Sequence, residues 1–449
     1  MPKKKTTSAK KLRKAAAGRT KPEAKSVKEL VEAAAQAMQS QDAHQAITLY
    51  DAAMQLASAS PEKVDMDITF VLEKRAEAKV SISDPDSARE DYAQALQIVR
   101  ERQPAAATIP SQINGDSSPQ QPITSHTPEH LERMASLLLY MGQLSGGHDA
   151  VASYQEGIDM LKNSLSIRQS SGHDEKATVE TRKQLGAACC SMAEVYLTDL
   201  CDEPNAEQQC EAFVQQALSC TDHDGTPVID ALQTAASLLF SQCKPGEAVN
   251  YIQQCYDKIQ GPCENLSKLV GMFISPQQLN GAAVAAGANT DDDDQAMELT
   301  QIEAVQALPG FEFRCQTAKL LLEGCGYLTQ EKPNNYQAAA QKCALGAVHV
   351  LGSLMSENDE VIEIWLLAGD AHAFLNFPDV AQQYYERSIE MFQQVQQSLE
   401  QELDMCDGEE QEEEIQQQVD EITCQLEEIQ QKLQELANAK ADEPEPMEE

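Results

Sequence analysis

Seventy-two carboxylates, thirteen thiols and eight imidazoles are the groups with which this 449-residue chain could do chemistry. Their spacing argues against catalysis. No C-x-x-C occurs, and no Cys/His cluster has the spacing of a zinc site. Cys189, Cys190, Cys210 and Cys255 fall among small apolar neighbours on helical patterns, which reads as reduced core thiols in a reducing compartment. No glycine-rich phosphate loop, G-x-S-x-G elbow, H-E-x-x-H or kinase set is present. The histidines are isolated, and His372 reads as a packed helix residue. Acid pairs such as Glu360/Glu363 suit a solvated helix face better than an acid–base couple. The expectation is a protein that is not an enzyme and uses no cofactor and no metal.

The carboxylates point to binding instead. Residues 1–28 hold eleven Lys/Arg and a single acid, a charge of +10; the remainder holds 23 bases against 71 acids, a charge of −48. A body this acidic repels phosphate backbones, so direct nucleic-acid binding by it is not expected. The same field attracts a basic protein and speeds its encounter. No apolar run approaches the ~18 residues of a membrane span, and no signal peptide is expected.

The elements that position these groups are helices in a repeat. Alanine is abundant and aromatics make up only 5% of residues, which suits close-packed helices. A tetratricopeptide repeat is two antiparallel helices in roughly 34 residues. Its second helix needs a small residue where it crosses the first, a ring or large apolar group one turn on, and another small residue three further. The chain offers Ala46-Tyr50-Ala53, Ala88-Tyr92-Ala95, Ala150-Tyr154-Gly157, Cys210-Val214-Ala217, Ala248-Ile252-Cys255, Ala340-Ala344-Ala347 and Ala381-Tyr385-Ser388 at that spacing. The last copy adds the first-helix signature, Trp365 followed by Ala368-Gly369. The fold class expected is all-α: a tetratricopeptide right-handed solenoid of about seven helix pairs with a C-terminal capping helix.

The expected layout is a basic disordered tail (1–26), repeats one and two (27–102), a Pro/Ser-rich linker (103–128) and repeats three to five (129–260). A linker with a flexible acidic insertion follows (261–310, the insertion at 275–296), then repeats six and seven (311–398). An acidic segment with a heptad helix (399–437) and an acidic tail (438–449) close the chain. In the heptad helix Ile415, Val419, Ile422, Leu426, Ile429, Leu433 and Leu436 alternate four and three apart. That seam either caps the open end of the array or forms a coiled-coil dimer, for which three heptads are marginal.

A helix-pair solenoid presents a concave groove lined by first helices. Template places that face it give Glu73 and Glu77 in the second repeat, Glu132 and Tyr140 in the third, and Asp230 and Phe240 in the fifth. The seventh gives Glu363, Asp370 and Phe374. Carboxylates interleaved with rings suit an extended Arg/Lys-rich ligand with apolar anchors. A groove for the acidic tail of a heat-shock chaperone would need Lys, Asn and Arg where this chain has Val31, Ala35, Glu132 and Ser136; the sign is wrong for that ligand.

Near the C-terminus, Phe311-Glu312-Phe313-Arg314 leads into Lys319-Leu320-Leu321-Leu322-Glu323-Gly324, and Asn358-Asp359-Glu360-Val361 leads into Trp365. With the basic tail, the two early repeats and the acidic end, these segments resemble the family of dedicated assembly chaperones for large-subunit ribosomal protein four. The resemblance implies a ribosome-biogenesis chaperone that shields the newly made basic protein by its long internal loop. It also implies transient contact with the nuclear pre-60S particle, to which the client is delivered. The basic tail, through Lys3, Lys4, Lys5, Lys10, Lys11, Arg13 and Lys14, is similar to a nuclear-localisation signal. Cytoplasm and nucleus, with the nucleolus as a further candidate, are the expected compartments, and no membrane partner is expected. The alternative is a scaffold that joins other proteins through the groove without chaperoning them.

Overall fold

The computed structural model describes residues 26–59, 66–102, 127–172, 174–272, 274, 305–306, 308–331, 333–405 and 408–441. The basic tail through residue 25 with its candidate import residues, most of the 103–128 linker, the 275–296 insertion and residues 442–449 lie outside them. Among the described residues there are fifteen helices, and the only β pairing is an isolated bridge between Thr221 and Pro227.

The chain divides into two compact units, 1–207 and 208–449. The first holds α1 (Val27–Gln39), α2 (Ala43–Ala59), α3 (Ile68–Val80), α4 (Pro85–Glu101), α5 (Pro128–Gln143), α6 (Gly147–Ser171) and α7 (Glu175–Leu197). α8 (Ala206–Leu218) straddles the border. The second unit continues with α9 (Ile229–Ser241), α10 (Pro245–Leu269), α11 (Phe311–Glu331), α12 (Pro333–Met355), α13 (Ile362–Phe374), α14 (Pro378–Met405) and α15 (Glu409–Ala441). Within the units α1/α2, α3/α4, α5/α6, α9/α10, α11/α12 and α13/α14 pack as hairpins.

Local chemistry sets the helix ends. Ser26 and Glu29 form a reciprocal capping box at the start of α1, with bonds of 3.1 and 2.9 Å. Asp84 and Thr127 cap α4 and α5, each followed by a proline at the first helical position. The hairpin turns repeat one backbone device. Gln41, Ser83, Cys243 and Asn376 all have positive φ (55° to 63°). The following amide donates back five residues each time: Asp42 to Ala37, Asp84 to Lys79, Lys244 to Leu239 and Phe377 to His372, at 2.8–3.0 Å. This left-handed turn satisfies carbonyls that the first helix leaves open at its end.

All seven spaced triads are buried. Their rings fill a seat in the first helix: a Cβ built on Gly142 would come 2.8 Å from Tyr154, and one built on Gly369 would collide with the Tyr385 ring. Glycine is required there by close approach, not by its dihedral angles. Trp365 is half-buried at the edge of the last hairpin. Its ring lies 5.7 Å from Tyr384 and its Nε1 donates to the Asp359 carbonyl at 2.7 Å, so it links α13 to α14 and to the preceding loop.

One large side chain in the second core is charged. Arg314, 1% exposed, donates to the Pro309 carbonyl and Ser353 Oγ, both at 3.0 Å, and pairs with Glu357. The Phe-Glu-Phe-Arg segment thus ties the start of α11 to the end of α12. The heptad helix α15 lies on the last hairpin. Ile429 is 1% exposed against Ala381 and Tyr385, with Leu433 and Leu436 packed beside Leu366, Ala373, Ile389 and Phe392. The seam is therefore used within the chain, as a cap.

Candidate protein-binding surfaces

In the first unit the expected groove acids divide by what reaches them. Glu73 on α3 is 9% exposed and pairs with Arg133 of α5. Burial pushes its carboxyl above the usual range, and the Arg133 charge offsets this only in part. Glu132 on α5 is half-buried and accepts from Arg168 (2.7 and 2.9 Å), Ser164 (2.6 Å) and Thr181 (2.7 Å). Burial works against its charge, but these bonds outweigh it and hold the carboxyl below its ordinary value. Both acids are struts between helices: an arginine from a neighbouring helix has taken the place expected for a ligand. The same construction joins α2, α3 and α4, where Arg75 bridges Asp91 and Asp51 and Lys79 adds a second cation to Asp91.

Glu77 and Tyr140 remain at the surface. Glu77 is exposed, with Lys74 at 2.7 Å in the same helix. Such a surface pair is weak and exchangeable. Tyr140, 45% exposed, stacks on Tyr92 with centroids 5.2 Å apart. Phe70 adds an exposed ring under Lys74 Nζ at 5.7 Å. Phe70 was not anticipated; the signal was a lone ring one turn before two charged residues, Glu73 and Lys74. The surface can hold an arginine or lysine between ring and carboxylate.

In the second unit Asp230 is half-buried in the first turn of α9. Phe240, expected to face the groove, is half-buried against the core instead, beside Gly324 of α11. Glu363 is exposed on α13 and meets Lys319 of α11 at 2.8 Å. Phe374 is 40% exposed. Asp370 is half-buried and engaged: it accepts from the Tyr385 hydroxyl at 2.6 Å and from Lys432 of α15 at 2.7 and 2.9 Å. Asp370, Ala373, Phe374, Tyr385, Lys432, Glu435 and Leu436 line a cavity of ≈ 500 Å³.

Most of the described thiols and two of the histidines, His349 and His372, are built into cores. Burial pushes the Cys255 and Cys325 thiols up to about 12 and Cys263 to about 11, which leaves almost no thiolate at neutral pH. Burial also lowers His372 and His349 below the ordinary imidazole range. His372 Nδ1 meets the Ala368 carbonyl at 2.7 Å, and His349 meets the Tyr256 hydroxyl at 2.7 Å. Among the described residues no group of three or more His, Cys, Asp or Glu is placed to hold a metal ion, and no helix is long and apolar enough to cross a membrane.

No family model matches the chain. Over 122 residues it is 34% identical to the probable assembly chaperone of rpl4 of Schizosaccharomyces pombe (strain 972 / ATCC 24843), a stretch that is 27% of this chain and 33% of that protein. The chain thus spans about a third of that relative's length. Among solved structures it is similar to the assembly chaperone of RpL4 (Acl4, residues 1–338), at 22% identity over 78% of this chain and 97% of that one, TM-score 0.45. It is also similar to the C-terminal part of a TPR repeat-containing protein from Cytophaga hutchinsonii, at 10% identity over 71% and 95%, TM-score 0.28. The resemblance read from the sequence therefore has a curated relative at the sequence level; the structural overlaps are too low to bear on function.

Proposed function

We propose that this chain is a ribosome-biogenesis chaperone that binds and shields newly made large-subunit ribosomal protein four. The observation that carries the reading is the 122-residue stretch shared with a probable assembly chaperone of rpl4. The physical chemistry supports it. A body of charge −48 draws in a basic client. Glu77 and Tyr140 in one unit, and Glu363 and Phe374 in the other, offer exposed carboxylates and exposed rings on first helices. Free in the cell, a long basic loop would bind RNA indiscriminately, and masking it prevents that. Release calls for no hydrolysis, only a competitor such as pre-ribosomal RNA that holds the loop better. The chain acts by binding rather than by catalysis.

The finer parts of the proposal are delivery to pre-60S particles in the nucleus and import through the basic tail. The test is capture of partners by the tagged full-length chain from lysate. One stoichiometric basic ribosomal protein is expected, and purified ribosomal protein four should then bind directly. A spread of unrelated partners, with no direct binding of that protein, would overturn the proposal in favour of a scaffold.

A further inference from the structure

The chain has placed one of its own cations where a basic partner would put one. Asp370 lies on the first helix of the last hairpin, at a template place that faces the groove. Its carboxylate receives Lys432 Nζ at 2.7 and 2.9 Å, and the same ammonium stands 5.8 Å from the centroid of the Tyr385 ring. The Tyr385 hydroxyl, at 2.6 Å, fixes the carboxylate in position. Carboxylate, ring face and ammonium are the parts of a lysine- or arginine-reading site. Phe374, 40% exposed one turn along, and the ≈ 500 Å³ cavity beside it would take an apolar neighbour of that side chain.

The helix that delivers Lys432 is otherwise unsuited to this surface electrostatically. α15 carries ten acids and two lysines. Between Ile415 and Leu436 Lys432 is the only cation, and it is the one that touches Asp370. Its apolar hold is short: Val419, Leu426 and Ile429 are buried, while Leu433 and Leu436, nearest the cavity, are half-buried. Even with Lys432 in place, Asp370 and Glu435 leave the cavity lining one negative charge in excess.

Resting on the chaperone reading above, we infer that Asp370, Tyr385 and Phe374 form a binding site for a lysine or arginine side chain of an extended basic partner. Lys432 occupies that site in the free protein, and the partner displaces it by lifting α15. The cap is then an internal competitor. It keeps the last hairpin closed against weak cationic ligands and yields to a long basic segment held elsewhere along the chain.

The experiment uses full-length protein and two probes: a fluorescent decapeptide of alternating arginine and glycine, and purified ribosomal protein four. Lys432→Met, which keeps the aliphatic stem, should tighten binding of both at least fivefold. Lys342→Met, which removes one lysine from an exposed helix position in the same unit, should shift binding less than twofold. Asp370→Asn added to Lys432→Met should cancel the gain. Adding the peptide to wild-type protein should speed amide hydrogen exchange across 419–436. The inference fails if Lys432→Met lies within twofold of wild type, if the gain survives Asp370→Asn, or if exchange across 419–436 slows on binding. Should Lys432→Met alone detach α15, the wild-type exchange measurement decides. If the peptide follows this pattern while ribosomal protein four binds no variant, the site stands and the proposed client falls. If ribosomal protein four binds wild type and both variants with equal affinity, the client is kept and the site is removed.

Discussion

Glu132→Ala separates a strut from a ligand site. The carboxylate accepts four bonds from Arg168, Ser164 and Thr181, so its removal strands a guanidinium that is only 6% exposed. Breaking a buried pair by deleting one partner costs roughly 3–5 kcal/mol. Two features reduce this: the Glu132 side chain is 19% exposed, and Arg168 keeps Glu129 at 3.2 Å. A loss of about 3 kcal/mol is expected, which for a unit of this size lowers the melting midpoint by roughly 6–12 °C. The depressed carboxyl adds a pH signature. Between its folded and unfolded values the native state binds fewer protons than the unfolded one, so stability rises with pH there. The contribution is present above the ordinary glutamate range near 4.5 and is lost as pH falls through the lower folded value. Glu132→Ala should therefore flatten the acid limb of a stability–pH curve. Circular-dichroism melts from pH 3 to 7 measure both effects. Glu132→Leu with Arg168→Met should recover most of the loss, because an apolar pair of similar volume commonly substitutes for a buried ion pair. A Glu132→Ala protein that melts within ~1 kcal/mol of wild type but no longer binds the client would refute the reasoning and return Glu132 to the groove.

Reversing charge at Glu77 and Glu363 together should weaken the client complex by at least ~1 kcal/mol while leaving both melting midpoints unchanged, since each acid has only an exposed or half-exposed lysine partner. A binding titration beside a melt checks this. Affinity for the client should fall steeply between 50 and 500 mM salt, because exposed charge pairs are screened over roughly 10 Å at 0.1 M; a flat salt curve by isothermal titration would argue for a mainly apolar contact. Gly369→Val should cost roughly 1–3 kcal/mol by driving a branched side chain into the Tyr385 ring, read as early melting of the last hairpin by hydrogen exchange. Gln41→Gly should stabilise the first unit by up to about 1 kcal/mol, since its φ of 59° strains any residue with a Cβ; an unchanged or lowered melting midpoint would count against that strain.

The hairpins were legible because their packing depends on residue size at fixed intervals. A small residue, a ring or other apolar residue and a small residue at one spacing mark a buried second helix; all seven triads are buried, and six of them lie in the hairpins described above. The stripe from Ile415 to Leu436 had to cover something, but its spacing suits a cap and a coiled-coil dimer alike; the contacts with Ala381 and Tyr385 show the cap. The engagement of the acids was not legible. Template position says which way Glu73, Glu132 and Asp370 point, but not what arrives from another helix. Arg133, Arg168 and Lys432 come from 60, 36 and 62 residues further along the chain, and whether they reach depends on helix length and on the offset between neighbours. Phe240 is a related case: its ring packs partly against the core of the second unit, within ordinary contact of the Gly324 position on α11, a neighbour that template position does not give. Arg314 was read as part of a motif; its role as a buried tie between α11 and α12 depends on Glu357, 43 residues away.

The four left-handed turns bear on where this chain can be edited. Each closes its hairpin through the same amide-to-carbonyl bond, made by backbone alone and indifferent to whether the turning residue is Gln41, Ser83, Cys243 or Asn376. One added residue in such a turn would break that bond and rotate the second helix out of its seat. The stretches that join one hairpin to the next obey no such rule: within the second unit α13 follows α12 after six residues, whereas α11 follows α10 after about forty. A reporter, a protease site or an affinity handle therefore belongs at 103–126 or 275–300, between closed hairpins. Placed at 40–42 or 375–377, the same insert would act as a mutation of the fold.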